Sequence, residues 1–319
     1  MKILITGVAG FIGSSLARKL LKNKNIIIHG IDNFDPYTSK KFQNLRLKDL
    51  RKNKNFKFQK IDIRNFTAIK NFFKKNTFDY VYHFAASVGV RYSLVNPKKY
   101  VSNNIVGFFN LIENIKHNPP QNFFFASSSS VYGESKKFPL EENQKLKPIN
   151  VYSYSKKSNE EMAKIYSNLY NMNFIGLRFF TVFGEWGRPD MFFLKLLKAI
   201  NNKQTFYLNN SGYHFRDFTY IGDIVKILEK MLYLKNQNKF EVFNICSNKP
   251  YKLSRIINYV TAKLGSLKIK NIPINKADVI KTHGNNKLIK KRLKSINFTN
   301  IENSMDNTIK WFRKNMKFI

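Results

Sequence analysis

A tyrosine and a lysine that could share one helix face stand four residues apart, at Tyr152 and Lys156. Side chains at this spacing are neighbours on a helix surface. A free phenol has a pKa of about 10 and is a poor base at neutral pH, but a neighbouring ammonium lowers that pKa. Tyr152 is therefore a candidate proton-transfer group that Lys156 would tune. Tyr154 would face away from the lysine and is not a candidate.

Four serines, Ser127 to Ser130, follow an apolar segment that we predict to be a strand, Asn122 to Ala126. In parallel sheets, ligands bind beyond the carboxyl ends of the strands. Hydroxyls at that edge can donate to or accept from a sugar hydroxyl. The cluster therefore predicts a contact surface for a hydroxylated ligand, the alternative being a plain polar turn.

Three glycines, Gly7, Gly10 and Gly13, lie between the first predicted strand, Met1 to Thr6, and the helix after it. In dinucleotide-binding loops the first glycine permits a tight turn, the second lets the backbone approach a pyrophosphate, and the third lets helix and strand pack closely. The helix N-terminus then favours phosphate through its free N–H groups and dipole. An acid, Asp32, ends the second strand about twenty residues further on, where it would bind a ribose diol.

The acid at the end of the second strand indicates which dinucleotide is bound. The charge of Asp32 would repel the 2′-phosphate of NADP, so the loop and the acid together predict NAD as the cofactor. Two nearby lysines, Lys40 and Lys41, leave NADP open as the alternative.

Apolar segments alternate with helix-like segments over the first 180 residues, and they must position these candidate groups. Near-continuously apolar strands in such an alternation predict a parallel sheet that is covered on both faces. The first helix is predicted over Leu16 to Lys22. The predicted strands are Met1 to Thr6, Ile26 to Ile31, Phe56 to Ile63, Tyr80 to Phe84, Asn122 to Ala126 and Asn173 to Phe179.

The pattern after about residue 180 is less regular, with expected loops at Glu185 to Asp190 and Asn209 to Phe218. We therefore expect a Rossmann-type, doubly wound α/β fold with a smaller C-terminal α/β lobe. The dinucleotide-binding domain would comprise residues 1–177, with residues 220–245 returning to it. The smaller lobe, formed by 178–219 and 246–319, would close over the carboxyl edge of the sheet and bind the substrate.

The composition limits the classes of partner. The chain of 319 residues has a formal net charge of +36, but its 45 lysines and 11 arginines are scattered. Because a nucleic-acid site is marked by clustering, we expect no nucleic-acid partner. Hydrophobic residues are 43% of the chain, enough for a core, and no apolar run reaches the roughly 18 residues of a membrane span. The lone cysteine, Cys246, excludes an internal disulfide and fits the cytoplasm.

Arginine is scarce, so its positions are informative. None occurs between Arg91 and Arg178, and both of these, with Arg188 and Arg216, fall in motif-like segments. Arginine presents a planar fork that matches phosphate or carboxylate, which lysine does not. We expect part of this set to bind an anionic ligand. The alternative, that an arginine only braces a loop, stays open above all for Arg91 and Arg178.

In combination these motifs resemble those of the extended short-chain dehydrogenase/reductase superfamily, in its NAD-dependent nucleotide-sugar epimerase branch. The residues that carry the resemblance are Gly7 to Gly13, Asp32, His83 to Ala86, Ser127 to Gly133, and the pair Tyr152 and Lys156. The segments most similar to UDP-glucuronate 4-epimerases are Gly89 to Leu94, Ser127 to Gly133, and Leu177 to Gly184 with Trp186 to Met191. The resemblance covers nearly the whole chain and weakens after about residue 250.

This resemblance implies an isomerase that inverts C4 of a UDP-sugar, with UDP-glucuronate and UDP-galacturonate as the expected pair. Tyr152 would take the proton from the 4-hydroxyl while hydride passes from C4 to NAD. The 4-keto intermediate would turn over before NADH returns the hydride to its other face. Lys156 would hold the nicotinamide ribose and Ser128 would bridge the 4-hydroxyl. No metal ion is implied.

The resemblance also implies which residues hold the two ligands. Arg216 matches an arginine on the UDP phosphates, and Arg188 with Thr181 is the candidate for the uronate carboxylate. The cofactor would contact Gly7, Gly10, Phe11, Ile12, Gly13, Asp32, Asn33, Asp62, Ile63, Phe84, Ala85, Ala86, Asn103, Tyr152, Lys156 and Phe180. The nucleotide sugar would contact Ser128, Ser129, Ser130, Tyr152, Thr181, Arg188, Met191, Arg216, Asp278 and Arg91.

Several related functions stay open. A UDP-glucose/galactose 4-epimerase would usually carry asparagine where Thr181 stands. A 4,6-dehydratase needs an acid pair at the positions of Ser129 and Ser130, and a decarboxylase usually has a glutamate at the position of Ser130, so these serines argue against both. A non-catalytic NAD-binding module is the alternative from another class. The resemblance further implies a homodimer formed through a four-helix bundle, no membrane association, and a role in polysaccharide precursor synthesis.

Overall fold

The computed structural model describes residues 1–274 and 278–316. Residues 275–277 and 317–319, in the segment expected to belong to the smaller lobe, lie outside the described residues. The strands are β1 (Lys2–Thr6), β2 (Ile27–Asp32), β3 (Phe56–Lys60), β4 (Tyr80–His83), β5 (Asn122–Ser128), β6 (Phe174–Phe179), β7 (Thr181–Phe183), β8 (Phe206–Asn209), β9 (Phe215–Tyr220), β10 (Phe240–Ile245), β11 (Pro250–Lys252) and β12 (Ile269–Ile272).

The helices alternate with these strands along most of the chain. They are α1 (Phe11–Leu20), α2 (Lys40–Lys48), α3 (Phe66–Lys74), α4 (Val90–Val95), α5 (Pro97–Tyr100), α6 (Gly107–Ile115), α7 (Val151–Leu169), α8 (Phe192–Asn201), α9 (Ile221–Met231), α10 (Leu253–Leu264), α11 (Lys287–Leu293) and α12 (Ile301–Asn315). A π-helical stretch, Val101–Val106, joins α5 to α6. Short 3₁₀ helices lie at Leu50–Lys52, Ser129–Tyr132 and Asn210–Gly212.

Seven strands form a parallel sheet in the order β10-β6-β5-β4-β1-β2-β3. After β3 the chain returns to the far side of β1, so β1 and β4 flank the point at which the strand order reverses. In such sheets ligands bind in the crevice beyond the carboxyl ends of the strands at this point. The predicted doubly wound α/β fold is confirmed.

Helices cover both faces of this sheet, which explains why its strands are almost continuously apolar. On one face Leu16 of α1 and Ile224 of α9 are fully buried in the core. On the other face Phe108 of α6 and Ala163 of α7 occupy the equivalent core. Burying a side chain the size of leucine or phenylalanine contributes about 1.5–3 kcal/mol, so these two layers hold the sheet rigid beneath its carboxyl edge.

A second core lies under two small sheets, of order β11-β9-β7 and β12-β8. It packs apolar side chains of α8, α10 and α12 against β9, among them Leu197, Val260, Ile309 and Phe218. Ile289 of α11, in contrast, packs in the core of the large sheet although it belongs to the 246–319 segment. The division of the chain into two lobes at the expected boundaries stays a prediction, and the boundary after residue 177 falls inside β6.

Most predicted elements occur close to their expected bounds. The first helix begins at Phe11 rather than Leu16, and the sequence pattern did not reveal this start because Gly13, Ser14 and Ser15 interrupt the apolar periodicity. The expected loop over Asn209 to Phe218 was wrong in its second half, since β9 begins at Phe215 and pairs with β7 and β11. Within 1–274 and 278–316, no helix has the length and apolar character needed to cross a membrane.

Candidate functional site

A cavity of about 990 Å³ opens along the carboxyl edge of the large sheet. Apart from Asp62, every residue expected to bind the cofactor or the sugar nucleotide lines it. The structure therefore brings the glycine loop, the serine cluster, the Tyr152 and Lys156 pair and the candidate arginines to one place. Within the residues that the structure describes, no group of three or more His, Cys, Asp or Glu side chains could hold a metal ion.

The glycine loop lies where β1 and β4 meet the edge. Gly7 has a φ of +70°, and a Cβ there would be 2.6 Å from the backbone N of Ala85. A Cβ at Gly13 would be 2.4 Å from the carbonyl oxygen of Gly7. Gly10 is the N-cap residue of α1, and among the described residues it makes no side-chain capping hydrogen bond. The first N–H groups of this helix are therefore available to an anion.

Two acids flank the place where an adenosine ribose is expected. Asp32 accepts hydrogen bonds from the N–H of Ala9 (3.0 Å) and of Phe34 (2.9 Å). Burial raises the pKa of Asp32, while these two hydrogen bonds and the charge of Arg46 act to lower it. The Asp32 carboxylate is therefore fixed in orientation at the end of β2.

Asp62 does not line the cavity. Its carboxylate accepts a hydrogen bond from Nδ2 of Asn33 (3.1 Å). Burial acts to raise the pKa of Asp62, but hydrogen bonds from Arg64 and Asn33 outweigh it and lower that pKa to about 2. Asp62 thus stays ionised at neutral pH and positions Asn33, which does line the cavity.

Asn103 lies in the π-helical stretch, a distortion that is frequent at functional sites. Its Nδ2 donates to Ser87 Oγ (2.7 Å). Its Oδ1 is buried and has no hydrogen-bond partner among the described residues. Because an unpaired buried oxygen is costly, this atom is poised for a donor from a ligand in the cavity.

Helix α7 presents Tyr152 and Lys156 to the cavity. Asn150 caps the helix in a capping box with Ser153, which fixes its first turn. The Nζ of Lys156 donates to the carbonyl oxygen of Ala126 (2.8 Å), and burial lowers the pKa of Lys156 to about 7. Both groups therefore have defined positions before any ligand binds.

The pKa of Tyr152 departs from the sequence-based expectation. Burial raises it above its ordinary value, and the groups that act to lower it are a hydrogen bond with Ser128 and the charge of Arg188. The amine of Lys156 is not among the groups that lower it. Tyr154 is 56% exposed on the outer side of the helix.

The serine cluster divides into two functions. Ser128 ends β5, and its Oγ accepts from the N–H of Ser130 (3.2 Å) at the start of a 3₁₀ turn. Ser129 and Ser130 line the cavity as expected. The Oγ of Ser127 instead donates to Glu160 of α7 (2.5 Å), so this serine joins β5 to the helix.

Arg188, expected to receive a uronate carboxylate, is already paired. Its Nε donates to Asp190 Oδ1 (3.0 Å) and its Nη2 to Asp190 Oδ2. The hydroxyl of Tyr37 donates to the same carboxylate (2.9 Å). A substrate carboxylate could share the guanidinium only at its remaining edge, and the assignment of Arg188 stays a prediction.

Arg216 and Asp278, expected to contact the nucleotide, both line the cavity. Arg216 donates to the carbonyl oxygens of Val279 (2.7 Å) and Ile280 (2.9 Å), and burial lowers the pKa of Arg216 to about 10. Asp278 is paired with Arg91, whose side chain is about half exposed. All three residues line the cavity, and their contacts with a nucleotide stay predictions.

Arg178, left open between binding and bracing, braces the protein. It forms a buried bidentate pair with Glu160, at 2.9 Å and 2.7 Å. Its Nη1 donates to the hydroxyl of Tyr132 (2.8 Å) and the carbonyl oxygen of Glu142 (3.0 Å). The pair therefore fastens α7 to β6 and to the turn that follows the serines.

Sequence reasoning missed Arg46, Tyr37 and Asp190. Arg46 is fully buried and donates to backbone carbonyls of the glycine loop and of residues 186–187. The scarcity of arginine in a lysine-rich chain was a signal that applied to Arg46 as well. Tyr37 gave no signal, since it contacts Asp190 from 153 positions away. Asp190 stands two residues after Arg188, and that spacing could have identified it as the partner of this arginine.

The model of the NAD dependent epimerase/dehydratase family matches residues 3–246. Protein CapI of Staphylococcus aureus is 39% identical over 333 residues, with 98% of each chain covered. The UDP-glucuronate 4-epimerase of Thermodesulfobacterium geofontis is 36% identical over 320 residues, covering 99% of this chain and 97% of that protein. The structure of UDP-glucuronic acid 4-epimerase from Bacillus cereus, in complex with UDP-glucuronic acid and NAD, superposes with a TM-score of 0.93 at 31% identity, covering 98% and 99% of the two chains.

Proposed function

The chain belongs to the NAD dependent epimerase/dehydratase family, and we propose that it is an NAD-dependent UDP-sugar 4-epimerase whose substrate is UDP-glucuronate. The observation that carries this proposal is the convergence of the glycine loop, Tyr152, Lys156 and the serine hydroxyls on one cavity. An enzyme of this kind is an isomerase, because substrate and product have the same composition and differ only in the configuration at C4.

The residues at the cavity fit NAD. The uncapped start of α1 suits a pyrophosphate, Asp32 suits a ribose diol, and the unpaired Oδ1 of Asn103 suits a ligand hydroxyl. Lys40 and Lys41, which left NADP open, do not line the cavity. When bound, NAD supplies the hydride acceptor that oxidises C4.

Three side chains handle the proton of the 4-hydroxyl. Burial raises the pKa of Tyr152 in the ligand-free protein, so its phenolate has to form in the complex, where the positive charge of bound NAD would stabilise it. As the phenolate, Tyr152 accepts this proton while the 4-keto sugar forms and gives it back when the inverted hydroxyl forms. Ser128, already in hydrogen-bond contact with Tyr152, bridges the phenol and the sugar oxygen. Lys156, held by Ala126, contributes a nearby positive charge when protonated and a ribose contact in either state.

The carboxylate of the uronate fits the hydroxyls of Ser129, Ser130 and Thr181, which line the cavity beyond Ser128. Hydroxyls can donate to both carboxylate oxygens without the cost of a second buried charge. Ser129 and Ser130 cannot act as the acid pair of a dehydratase at neutral pH, which argues against that reaction. Arg188 contributes positive charge near this carboxylate and not a bidentate contact through Nε and Nη2, because Asp190 already accepts from both of these donors.

The test is to incubate purified protein with UDP-glucuronate, UDP-glucose and UDP-N-acetylglucosamine separately and to identify each product by chromatography. We expect UDP-galacturonate from the first and much slower conversion of the others. Tyr152→Phe should lose the activity, while its matched control, Tyr154→Phe on the exposed side of α7, should keep it. Unchanged epimerisation by Tyr152→Phe would remove the catalytic assignment.

The second candidate is a UDP-glucose 4-epimerase, and the pairing of Arg188 with Asp190 is the observation that favours it. With that guanidinium occupied, the hydroxyls that suit a carboxylate also suit a neutral 6-hydroxyl. Arg188→Ala separates the two. It should raise KM for a uronate more than for a hexose, and an equal loss for both would favour the neutral sugar.

We also propose a homodimer through α6 and α7. Val106 and Phe109 are exposed on one side of the π-helical stretch and α6, and Ile165 and Leu169 on the neighbouring side of α7. A second copy of this chain would bury these apolar side chains in a four-helix arrangement. Light scattering should give twice the chain mass, and Leu169→Glu should shift it to the monomer. A cytoplasmic location and a role in polysaccharide synthesis stay predictions.

A further inference from the structure

One guanidinium connects the two ligand loops of the cavity. Arg46, on α2, is 1% exposed. Its Nη1 donates to the carbonyl oxygen of Ala9 in the glycine loop (3.2 Å). Its Nε and Nη2 donate to the carbonyl oxygen of Trp186 (3.1 and 2.8 Å), and Nη2 also to that of Gly187 (2.9 Å). The residue that follows these two carbonyls is Arg188.

The peptide units on either side of this bridge are themselves held. The N–H of Ala9 is bound by Asp32, so both polar groups of that residue are fixed by side chains. On the other side the guanidinium of Arg18 lies over the Trp186 ring, 4.7 Å from its centre, and donates to the carbonyl oxygen of Arg46 (2.7 Å). A displacement of either loop therefore has to break contacts with Arg46.

The bridge needs an arginine. Burial lowers the pKa of Arg46 to about 9, with the nearby charges of Arg18 and Arg188 acting in the same direction and that of Asp32 against them. The planar fork reaches carbonyls of two separate loops at once, whereas a lysine places all its donors on one nitrogen. The remaining face of the guanidinium packs on the Phe42 ring, 4.5 Å from its centre.

We propose that Arg46 is a positioning residue that couples the cofactor loop to the substrate loop. It holds the glycine loop in the shape that receives the dinucleotide, and through residues 186–187 it sets the place of Arg188 and Asp190. Its action on the cofactor rests on the family alone, and its action on the substrate rests on the proposed function.

The test is a double-mutant cycle with Arg46→Lys and Arg188→Ala, measuring the dissociation constant of NAD and KM and kcat for UDP-glucuronate. Arg46→Lys should weaken NAD binding about 10-fold and raise KM about 10-fold, because the ammonium can serve only one loop. In the Arg188→Ala background, Arg46→Lys should raise KM less than about 2-fold, whereas it should still weaken NAD binding about 10-fold.

The matched control is Arg51→Lys, since Arg51 lies beyond the end of α2, stacks on Phe58 and does not line the cavity. It should change neither constant. Penalties on KM that multiply in the double variant, or unchanged NAD affinity in Arg46→Lys, would overturn the proposal. If wild-type protein does not convert UDP-glucuronate, the proposed function fails, and calorimetric binding of UDP-glucuronate replaces KM in the same cycle.

If Arg46→Lys does not fold, Arg18→Lys provides a second test of the Arg46 bridge. It removes the stacking on Trp186 and the donor to the Arg46 carbonyl oxygen while leaving the contact with Ala9 in place. It should raise KM for UDP-glucuronate about 3-fold or more with NAD affinity unchanged. No change in KM, or an equal loss of NAD affinity, would contradict the bridge.

Discussion

Replacing Lys156 by methionine should stabilise the ligand-free protein at low pH while it abolishes catalysis. Burial lowers the pKa of Lys156 from 10.5 to about 7, so its charged form is disfavoured in the folded state. A difference of about 3.5 pH units corresponds to about 5 kcal/mol. Methionine has a similar length and no charge, so Lys156→Met removes this cost and also removes the group that we propose to hold the nicotinamide ribose.

The sign of the pH dependence follows from the direction of this shift. Between the two pKa values the unfolded chain binds more protons at this lysine than the folded protein does, so folding stability rises with pH across that window. At about pH 6 nearly the full cost of about 5 kcal/mol is present, and at about pH 9 about 2 kcal/mol remains. Wild-type protein should therefore gain about 3 kcal/mol relative to Lys156→Met over this range.

The measurement is urea unfolding of NAD-free wild-type and Lys156→Met protein at about pH 6, 7.5 and 9. Other titrating groups cancel in the difference, and the lost hydrogen bond to Ala126 adds a constant of about 1 kcal/mol that does not depend on pH. A stability difference that is flat across the three pH values would show that Lys156 keeps its ordinary pKa, and the reasoning from burial would be refuted.

Two further predictions concern the framework of the site. Glu160→Gln should destabilise the protein by about 3–5 kcal/mol in urea unfolding, because it leaves the Arg178 guanidinium buried without its counter-charge; a loss below about 1 kcal/mol would contradict this. Gly13→Ala should weaken NAD binding more than Gly10→Ala does, since the added Cβ would lie 2.4 Å from the Gly7 carbonyl oxygen in the first variant and 2.9 Å in the second. Calorimetry of NAD binding checks that order, and the reverse order would refute it.

The sheet could be predicted because its signal is local. Strands buried on both faces are apolar along most of their length, and five of the six predicted segments showed this, whereas Phe56 to Ile63, which contains the edge strand β3, alternates apolar and polar residues. β9 gave no such signal, since its six residues include Arg216 and Asp217 and its place is decided by β7 and β11, which are distant in sequence. Pairing across such separations overrides local propensity.

The site could be predicted where a spacing reflects a shared surface. Tyr152 and Lys156 are one helical turn apart, and Glu160 follows at the same interval, which could have identified it as well. Tyr37 could not be found this way, because it meets Asp190 only through the fold, whereas Asp190 stands two residues after Arg188 and is a local partner. A sequence shows which residue types are present and not which of their donors are already occupied.

The use of cations inside this protein follows from their chemistry. Among the residues that the structure describes, Lys156 is the one buried lysine, whereas Arg46 and Arg178 are both buried. Burial brings the pKa of Lys156 to about 7, so this amine can gain or lose its charge near neutral pH. Burial leaves Arg46 mostly protonated, with a pKa of about 9, and Arg178 is held charged by Glu160. A chain that uses lysine almost everywhere thus keeps arginine where a permanent charge must hold loops together, and places its buried lysine one helical turn from Tyr152, where we propose that its variable charge assists proton transfer.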